Sequence, residues 1–86
     1  MINGSSSADD ILGALRKTFE ELFEIPPEDV HLGSKLYEEM DLDSLDAADM
    51  RANLQEVVGR SIPESQFQDV RTVDDVVRLL QRVVSV

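Results

Sequence analysis

The stretch LYEEMDLDSLDAADM, Leu36 to Met50, holds the features that decide the fold of this chain. One serine, Ser44, lies among acidic side chains, and the stretch contains no basic residue. Its six carboxylates are Glu38, Glu39, Asp41, Asp43, Asp46 and Asp49. An apolar helical period begins at the serine, and either Asp43 or Ser44 is a favoured N-cap residue. The stretch therefore predicts a helix that begins near Ser44 after an acidic loop.

This helix is predicted to run from about Ser44 to Val58 and to carry an apolar group on each of two faces. The inward face consists of Ala47, Met50, Leu54, Val57 and Val58. The outward face has a stripe of Leu45, Ala48 and Ala52, bordered by Asp46, Asp49 and Glu56. Small residues on a helix surface are common, and a charge run is most often a solvated face. The serine directly before the stripe favours a binding surface instead.

A second long helix is predicted near the start of the chain, over residues 8–24. Its apolar face consists of Ile11, Leu12, Leu15, Phe19, Leu22 and Phe23. Ser6 or Ser7 is placed to cap it, and Asp9 or Asp10 completes a capping box. Prolines at positions 26 and 27 lack the donors of a continuing helix and so end it.

The last third of the chain predicts one more long helix and a short one before it. The long helix begins with a capping box of Thr72 and Asp75 and has an apolar face of Val73, Val76, Val77, Leu80, Val83 and Val84. Between Pro63 and Val70 only a short helix fits, with Pro63 at its first position and Phe67 and Val70 in the core. The chain is therefore predicted to be all-α.

Length and composition limit what such a chain can do. The 86 residues are enough for one domain, which we place at residues 8–86 after a flexible tail of residues 1–7. A core of this size cannot enclose a deep active site, so partners are expected to supply any chemistry. Cysteine is absent, no apolar run approaches a membrane span, and the first residues do not resemble a secretion signal. We expect a cytoplasmic monomer without stable membrane insertion.

The net charge of −10 is confined to one part of the chain. Residues 1–56 hold 14 acidic and 4 basic side chains, whereas residues 57–86 hold 4 of each. Nucleic acids and anionic lipid surfaces require clustered lysine and arginine, so neither is expected as a partner. The localised acidity favours basic protein partners.

Other chemistries for the serine fit the sequence poorly. A serine hydrolase needs a general base, but His31 is the single histidine, and no G-x-S-x-G motif is present. Glu38, Asp41 and Asp43 are oxygen ligands suited to calcium, yet the glycine and the distal glutamate of an EF-hand are missing. Gly33 and Gly59 are isolated and do not form a phosphate-binding loop. We therefore predict neither a catalytic residue nor a resident metal ion.

The segment DLDSLDAAD, residues 41–49, resembles the D-S-L signature of acyl carrier proteins. The similarity covers residues 8–84 in order, with an I-P step at Ile62 and Pro63 and a final RTVDDVVRLL helix at residues 71–80. It implies a four-helix bundle with three long helices and a short third one. It also implies that Ser44 carries 4′-phosphopantetheine donated by coenzyme A, with Asp43 as the acidic residue before it. A chain of this kind is a carrier and not an enzyme.

The resemblance further implies that partner enzymes recognise a surface on the helix that begins near Ser44. The positions carried over, together with the stripe, are Leu45, Asp46, Ala48, Asp49, Met50, Ala52 and Glu56. The implied partners are a phosphopantetheinyl transferase, a ketosynthase, an acyltransferase or acyl-carrier synthetase, a ketoreductase and a dehydratase. The stretches at residues 36–49 and 54–77 are most similar to stand-alone carriers of aryl polyene or xanthomonadin-like pigment pathways.

Two residues of the helix that begins near Ser44 depart from the pattern of these relatives. Arg51 stands where an aliphatic residue is common, and Asn53 replaces a bulkier side chain. We expect Arg51 to lay its methylenes over the core and to pair with Glu20, Glu21 or another carboxylate, at some expense in stability. Asn53 makes burial of an acyl chain between the helices less favourable.

Two classes of function remain open on the sequence alone. The first is a carrier of fatty-acid, polyketide or aryl-polyene intermediates, or of aminoacyl or peptidyl groups. The second is a helical adaptor that binds a basic protein through the same stripe and is never modified. Gain of mass from coenzyme A separates the two classes.

Overall fold

The structure is a computed structural model that describes residues 5–85. Within that range it contains four α-helices and no strand, which confirms the predicted all-α fold. Residues 1–4 of the predicted tail lie outside the described residues. Ser7, the last residue of the predicted tail, is the N-cap of the first helix.

The first helix, α1, spans Ala8–Phe23 and begins with the predicted capping box. The Ser7 hydroxyl accepts from the Asp10 N–H, and the Asp10 carboxylate accepts from the Ser7 N–H, each at 3.1 Å. The helix ends one residue earlier than predicted, because Glu24 adopts a left-handed conformation with φ of 57°. Ile25 precedes a proline, which disfavours continuation of the helix at that residue.

Two residues of α1 differ from the prediction. Leu22 is predicted on the inward face, but it is 39% exposed; in the last turn of α1 it is Phe23 that packs against the core. Thr18, which was not among the predicted inward residues, is only 3% exposed. The inward face of α1 therefore contains a polar group that the apolar pattern missed.

The second helix, α2, spans Ser44–Val58, as predicted. Met50, Leu54 and Val58 are buried, and Ala47 and Val57 are half-buried against the core. Gly59 ends the helix in the left-handed region with φ of 68°, and its N–H donates to the Gln55 carbonyl. Glycine suits this position because it adopts positive φ without a steric cost.

The two remaining helices are α3 at Glu64–Phe67 and α4 at Val73–Val84. Pro63 is the N-cap of α3 and not its first residue, because its carbonyl accepts from the N–H groups of Gln66 and Phe67. Phe67 and Val70 are buried, as predicted. The capping box of Thr72 and Asp75 begins α4, and the predicted apolar face is buried except for the half-buried Val83.

A single hydrophobic core lies between the three long helices. Its fully buried side chains include Ile11, Leu15, Phe19, Val30, Met50, Leu54, Ile62, Val73, Val76, Leu79 and Leu80. The connection from α1 to α2 contains a short 3₁₀ turn at Pro27–Asp29 and then bonds to the start of α4. Leu36 N–H donates to the Arg71 carbonyl at 2.9 Å, and Val73 N–H donates to the Ser34 carbonyl at 3.0 Å. These bonds fix the end of the connection from which α2 starts.

Candidate functional site

The loop before α2 is a compact turn anchored by two buried leucines. Leu36 and Leu42 are 1% and 7% exposed, and the Leu42 N–H donates to the Leu36 carbonyl at 3.1 Å. Between them Asp41 has a positive φ of 56°, a conformation that aspartate tolerates better than most residues. The chain therefore arrives at residue 43 in a fixed position with its next residues on the surface.

Asp43, and not Ser44, is the N-cap of α2. Its carboxylate accepts from the Asp46 N–H at 2.9 Å, and the Asp46 carboxylate accepts from the Asp43 N–H at 3.2 Å. The sequence left the choice between Asp43 and Ser44 open, and it did not predict that Asp46 completes a capping box. Ser44 is the first helical residue and is exposed. Its hydroxyl makes no hydrogen bond within residues 5–85.

The start of α2 also offers free backbone donors beside the Ser44 hydroxyl. The capping box uses the N–H groups of Asp43 and Asp46, while the Ala47 N–H donates to the Asp43 carbonyl. Ser44 and Leu45 N–H have no acceptor in the described part of the chain. Such donors and the positive end of the helix dipole stabilise a phosphate ester on an adjacent side chain. The residues present therefore fit a phosphodiester on Ser44.

Four of the six carboxylates around Ser44 have structural contacts. Asp43 and Asp46 form the capping box. Glu39 accepts from the Lys35 N–H at 2.9 Å, and Glu38 forms a surface ion pair with the Lys35 side chain at 3.5 Å. The acidity of this region therefore shapes the loop and the helix start as well as the electric field around the serine.

The predicted outward stripe is on the surface. Leu45 is 75% exposed, the largest value among the exposed large apolar residues of the described chain. The other exposed residues of the stripe and its border are Ala48, Asp49, Ala52 and Glu56, while Asp46 is half-buried. Met50 was carried over as a partner-contact residue, and the structure contradicts this, because Met50 is fully buried beneath the surface.

Arg51 has different partners from those predicted. Its guanidinium Nη1 donates to the Ile62 carbonyl at 2.7 Å and lies 3.4 Å from Gln55 Oε1. No carboxylate within residues 5–85 forms an ion pair with it, so the expected pairing with Glu20 or Glu21 is wrong. Gln55 Oε1 also accepts from the Ile62 N–H at 2.8 Å. Sequence reasoning missed this contact, because residues 55 and 62 are joined by a turn whose path local patterns do not specify.

Asn53 takes part in a contact between α1 and α2. The buried Thr18 hydroxyl donates to Asn53 Oδ1 at 3.0 Å. A polar pair on two facing helices could have been suspected from the spacing of Thr18 on α1, because it lies one turn from Leu15 and Leu22. The contact satisfies a hydroxyl that would otherwise be buried without a partner.

Neither rival chemistry gains support from the described residues. His31 is exposed, and its backbone N–H donates to the Ser34 hydroxyl within the connection to α2. Residues 5–85 contain no group of three or more histidine, aspartate or glutamate side chains arranged to hold a metal ion. Among the helices described, none is both long enough and apolar enough to cross a membrane.

Comparison with known proteins identifies the family. Residues 13–80 match the family described as "Phosphopantetheine attachment site". The chain is 43% identical over 76 residues to "Acyl carrier protein 2" of Ralstonia nicotianae, which covers 88% of this chain and 94% of that protein. It is 29% identical over 76 residues to "Acyl carrier protein" of Thermobifida fusca, covering 88% and 96%. A "Meromycolate extension acyl carrier protein" of Mycolicibacterium aurum is 28% identical over 79 residues, covering 92% and 81%.

The match covers the acidic loop, α2 and α3 completely, and most of α1 and α4. Both the family description and the relatives support 4′-phosphopantetheine as the prosthetic group, and the relatives are carriers. The chain belongs to the acyl carrier protein family, as a carrier and not an enzyme.

Proposed function

We propose that 4′-phosphopantetheine is attached to Ser44 and that the protein carries acyl intermediates as thioesters on this group, which we call the arm. The observation that carries the proposal is the exposed hydroxyl at the first position of α2, beside the free N–H groups of Ser44 and Leu45. When bound, the group supplies a terminal thiol that holds the acyl chain. Ser44 Oγ would lose its proton to a base of the transferase and form a bond to the phosphorus of coenzyme A nearest the pantetheine. The bond from that phosphorus to the oxygen bridging the two phosphates would break, and 3′,5′-adenosine diphosphate would leave.

The carboxylates near Ser44 do not need to act as bases in this reaction. Asp43 and Asp46 accept backbone N–H groups, and a transferase can bring its own metal ion and base. After attachment, no histidine lies in the adjacent helix to promote hydrolysis of a thioester. The chain's own tasks are to present the serine, to stabilise the phosphodiester and to be recognised.

Recognition is proposed to use the stripe of Leu45, Ala48 and Ala52 with Asp46, Asp49 and Glu56 at its border. Exposed carboxylates attract basic partners and raise encounter rates, while a small contact area leaves dissociation fast. The partners we propose are the phosphopantetheinyl transferase and the ketosynthase, acyltransferase or acyl-carrier synthetase, ketoreductase and dehydratase of one pathway.

The pathway we propose is a type II fatty-acid or polyketide route of the aryl-polyene pigment kind. The support is the resemblance of residues 36–49 and 54–77 to stand-alone carriers of such routes. The names of the relatives include a meromycolate extension carrier, which is a different use of the same family. A test is to offer the phosphopantetheinylated protein to purified ketosynthases of each route and to measure acyl transfer.

Attachment itself is tested with intact mass spectrometry. The purified chain, incubated with coenzyme A and a promiscuous phosphopantetheinyl transferase, is expected to gain the mass of one phosphopantetheine. A chain that keeps its original mass, while a control carrier in the same reaction is converted, would favour the unmodified adaptor instead.

A further inference from the structure

The side of α2 that continues from Ser44 leads to two polar side chains. Arg51 and Gln55 follow Ser44 by seven and eleven residues, close to two and three helical turns, so the three residues share one side of α2. An arm on Ser44 that folds back along the helix reaches the level of Arg51 after about 10 Å. This side of α2 is therefore the direct route from the attachment residue towards α3.

Arg51 and Gln55 together hold both polar backbone groups of Ile62. Arg51 Nη1 donates to the Ile62 carbonyl at 2.7 Å, and Gln55 Oε1 accepts from the Ile62 N–H at 2.8 Å. The Ile62 side chain is fully buried, and Pro63 begins the turn into α3. These two side chains, which we name the Arg51–Gln55 clamp, fasten the α2–α3 connection to α2.

The opposite edge of the inward face of α2 is closed by another side-chain bond. Asn53 accepts from the Thr18 hydroxyl of α1 at 3.0 Å. Between the two edges, Met50 and Leu54 are fully buried and in contact with the core. Hydrogen bonds therefore join α2 to its neighbours at both edges of its inward face. Arg51 and Gln55 bond to the backbone of Ile62 at one edge, and Asn53 bonds to the Thr18 side chain at the other.

An aliphatic acyl chain is stabilised by any apolar space that it can enter. In this protein the apolar space is the core. An acyl chain that starts at Ser44 and enters the core along the same side of α2 has to pass the Arg51–Gln55 clamp. Entry would separate the Arg51 guanidinium from the Ile62 carbonyl in a half-buried place, and each group would lose its partner. An aliphatic residue at position 51 would impose no such loss.

We propose that the Arg51–Gln55 clamp keeps acyl cargo outside the helical bundle. The proposal rests on the proposed attachment at Ser44. The cargo class that this arrangement fits is acyl groups that are short or carry polar groups and so need no shelter from water. A long saturated chain would stay exposed on the arm until a partner enzyme covers it.

An open groove lined by the α2–α3 connection, α3 and α4 is another place where cargo could lie. It has a volume of about 1120 Å³, and its lining includes Val70, Val83, Arg60 and Arg82. It borders the residues after the C-terminal end of α2, about 20 Å along the helix from Ser44. Its charged lining makes it a poor shelter for an aliphatic chain.

The decisive measurement is the methyl NMR spectrum of the phosphopantetheinylated protein before and after loading an octanoyl chain. We expect the methyl signals of Met50, Leu54 and Ile62 to stay in place. Shifts of these core signals would show that the chain enters the bundle and would overturn the proposal. Shifts confined to the Val70 and Val83 signals would place the chain in the outer groove, and they would overturn the expectation that a long chain stays exposed on the arm.

Variants then test whether the clamp is the cause. Arg51→Met keeps an unbranched apolar stem but removes the donor, so we expect octanoyl loading to shift the core methyl signals and to slow cleavage of the thioester by hydroxylamine several-fold. Arg51→Lys keeps a long cation that can reach the Ile62 carbonyl and should behave as the original protein. Unchanged core signals in loaded Arg51→Met would contradict the role of the clamp.

Arg16→Met is the matched control. Arg16 Nε also donates to a backbone carbonyl, that of Val30 at 3.0 Å, but it lies on α1. A comparable loss of stability is expected without entry of the chain, so core shifts in this variant as well would mean that general loosening explains the effect.

Intact mass recorded before each spectrum separates the two proposals. A protein that never gains the mass of the arm would contradict the proposed attachment at Ser44. A loaded protein whose core methyl signals shift would contradict only the proposed role of the clamp.

Discussion

Arg51 is the residue at which the structure most changes the expectation from sequence. The apolar pattern treats it as a charge on the flank of the core, which predicts that an aliphatic replacement would be stabilising. In the structure Arg51 donates a hydrogen bond to the Ile62 carbonyl, which has no other donor within residues 5–85. The carbonyl of a buried residue at the turn before a proline requires a partner.

We therefore expect Arg51→Ile to lower the melting temperature. Loss of the hydrogen bond from Arg51 would leave the carbonyl of the buried Ile62 without a donor, and we expect this cost to outweigh the gain from burying an isoleucine. A net loss of about 1 kcal/mol would lower the melting temperature by roughly 4–8 °C in a domain of this size. Thermal unfolding followed by circular dichroism checks this, with Arg51→Lys as the milder variant. A higher melting temperature for Arg51→Ile would restore the expectation from sequence.

Asp75 is a second residue whose environment gives a testable result. The pKa of its carboxyl is lowered, first by the hydrogen bond from the Arg71 N–H and then by bonds from the Thr72 backbone and hydroxyl and the charge of Arg78, while partial burial opposes the shift. The carboxylate accepts from the Arg71 N–H at 2.9 Å and the Thr72 N–H at 3.1 Å. Ionised Asp75 therefore stabilises the start of α4.

Asp75→Asn should lower stability at neutral pH by about 1 kcal/mol. Because the folded pKa lies below the ordinary aspartate value of about 3.9, the contribution of Asp75 is present above that value and is lost as the pH falls through the folded pKa. The difference between the two proteins should therefore shrink below pH 4. Urea unfolding at several pH values measures it, with Asp69→Asn, at an exposed position, as the control. A constant difference down to pH 3 would argue against the ionised carboxylate as the cause.

At the scale of the element, α2 combines a buried face, an outward stripe and an acidic border. Asp49 and Glu56 are exposed, whereas Asp46 belongs to the capping box, so reversal of Asp46 would disturb the helix start as well as docking. Asp49 and Glu56 are therefore the appropriate positions for a test of the surface charge.

We expect the double variant Asp49→Lys and Glu56→Lys to keep its helical circular dichroism but to be loaded by the transferase about tenfold more slowly or worse. Loading of the original protein should also slow as salt rises, because the screening length is only about 8 Å at physiological ionic strength. Glu20→Lys with Glu21→Lys, exposed on α1, changes the net charge equally and is the matched control. Equal loading rates for both double variants would remove the docking role of this face.

The helices themselves were predictable because their signals are local. All three long helices begin with capping boxes, two of which were predicted from the sequence, and their apolar periods identify the buried faces. The exposure of Leu22 and the bonds of Arg51 and Asn53 could not be read in this way, because they depend on which segment lies opposite. For the candidate site, the serine and its stripe follow from the sequence. The structural contacts of Glu38, Glu39 and Asp46 require the folded loop.

At the scale of the whole molecule, the charge is divided between two parts of the chain. Residues 1–56, which contain α1, the acidic loop and most of α2, hold the entire net charge, while the basic residues from position 57 onward balance the acidic ones there. A basic partner is therefore drawn to the part of the molecule that presents Ser44. The field of the molecule and the position of the serine support the same proposed function.

The central claim is that this one serine, among the eight of the chain, receives the prosthetic group. Its replacement by alanine removes no cap, because Asp43 is the N-cap of α2, so Ser44→Ala should keep the fold and the helical circular dichroism. Ser65→Ala is the matched control, since Ser65 is also exposed and lies in the first turn of a helix.

The most direct measurement is intact mass spectrometry of these two variants and the original chain after incubation with coenzyme A and a phosphopantetheinyl transferase. The account predicts that the original chain and Ser65→Ala each gain one phosphopantetheine and that Ser44→Ala gains none. A folded Ser44→Ala protein that still gains this mass would contradict the account.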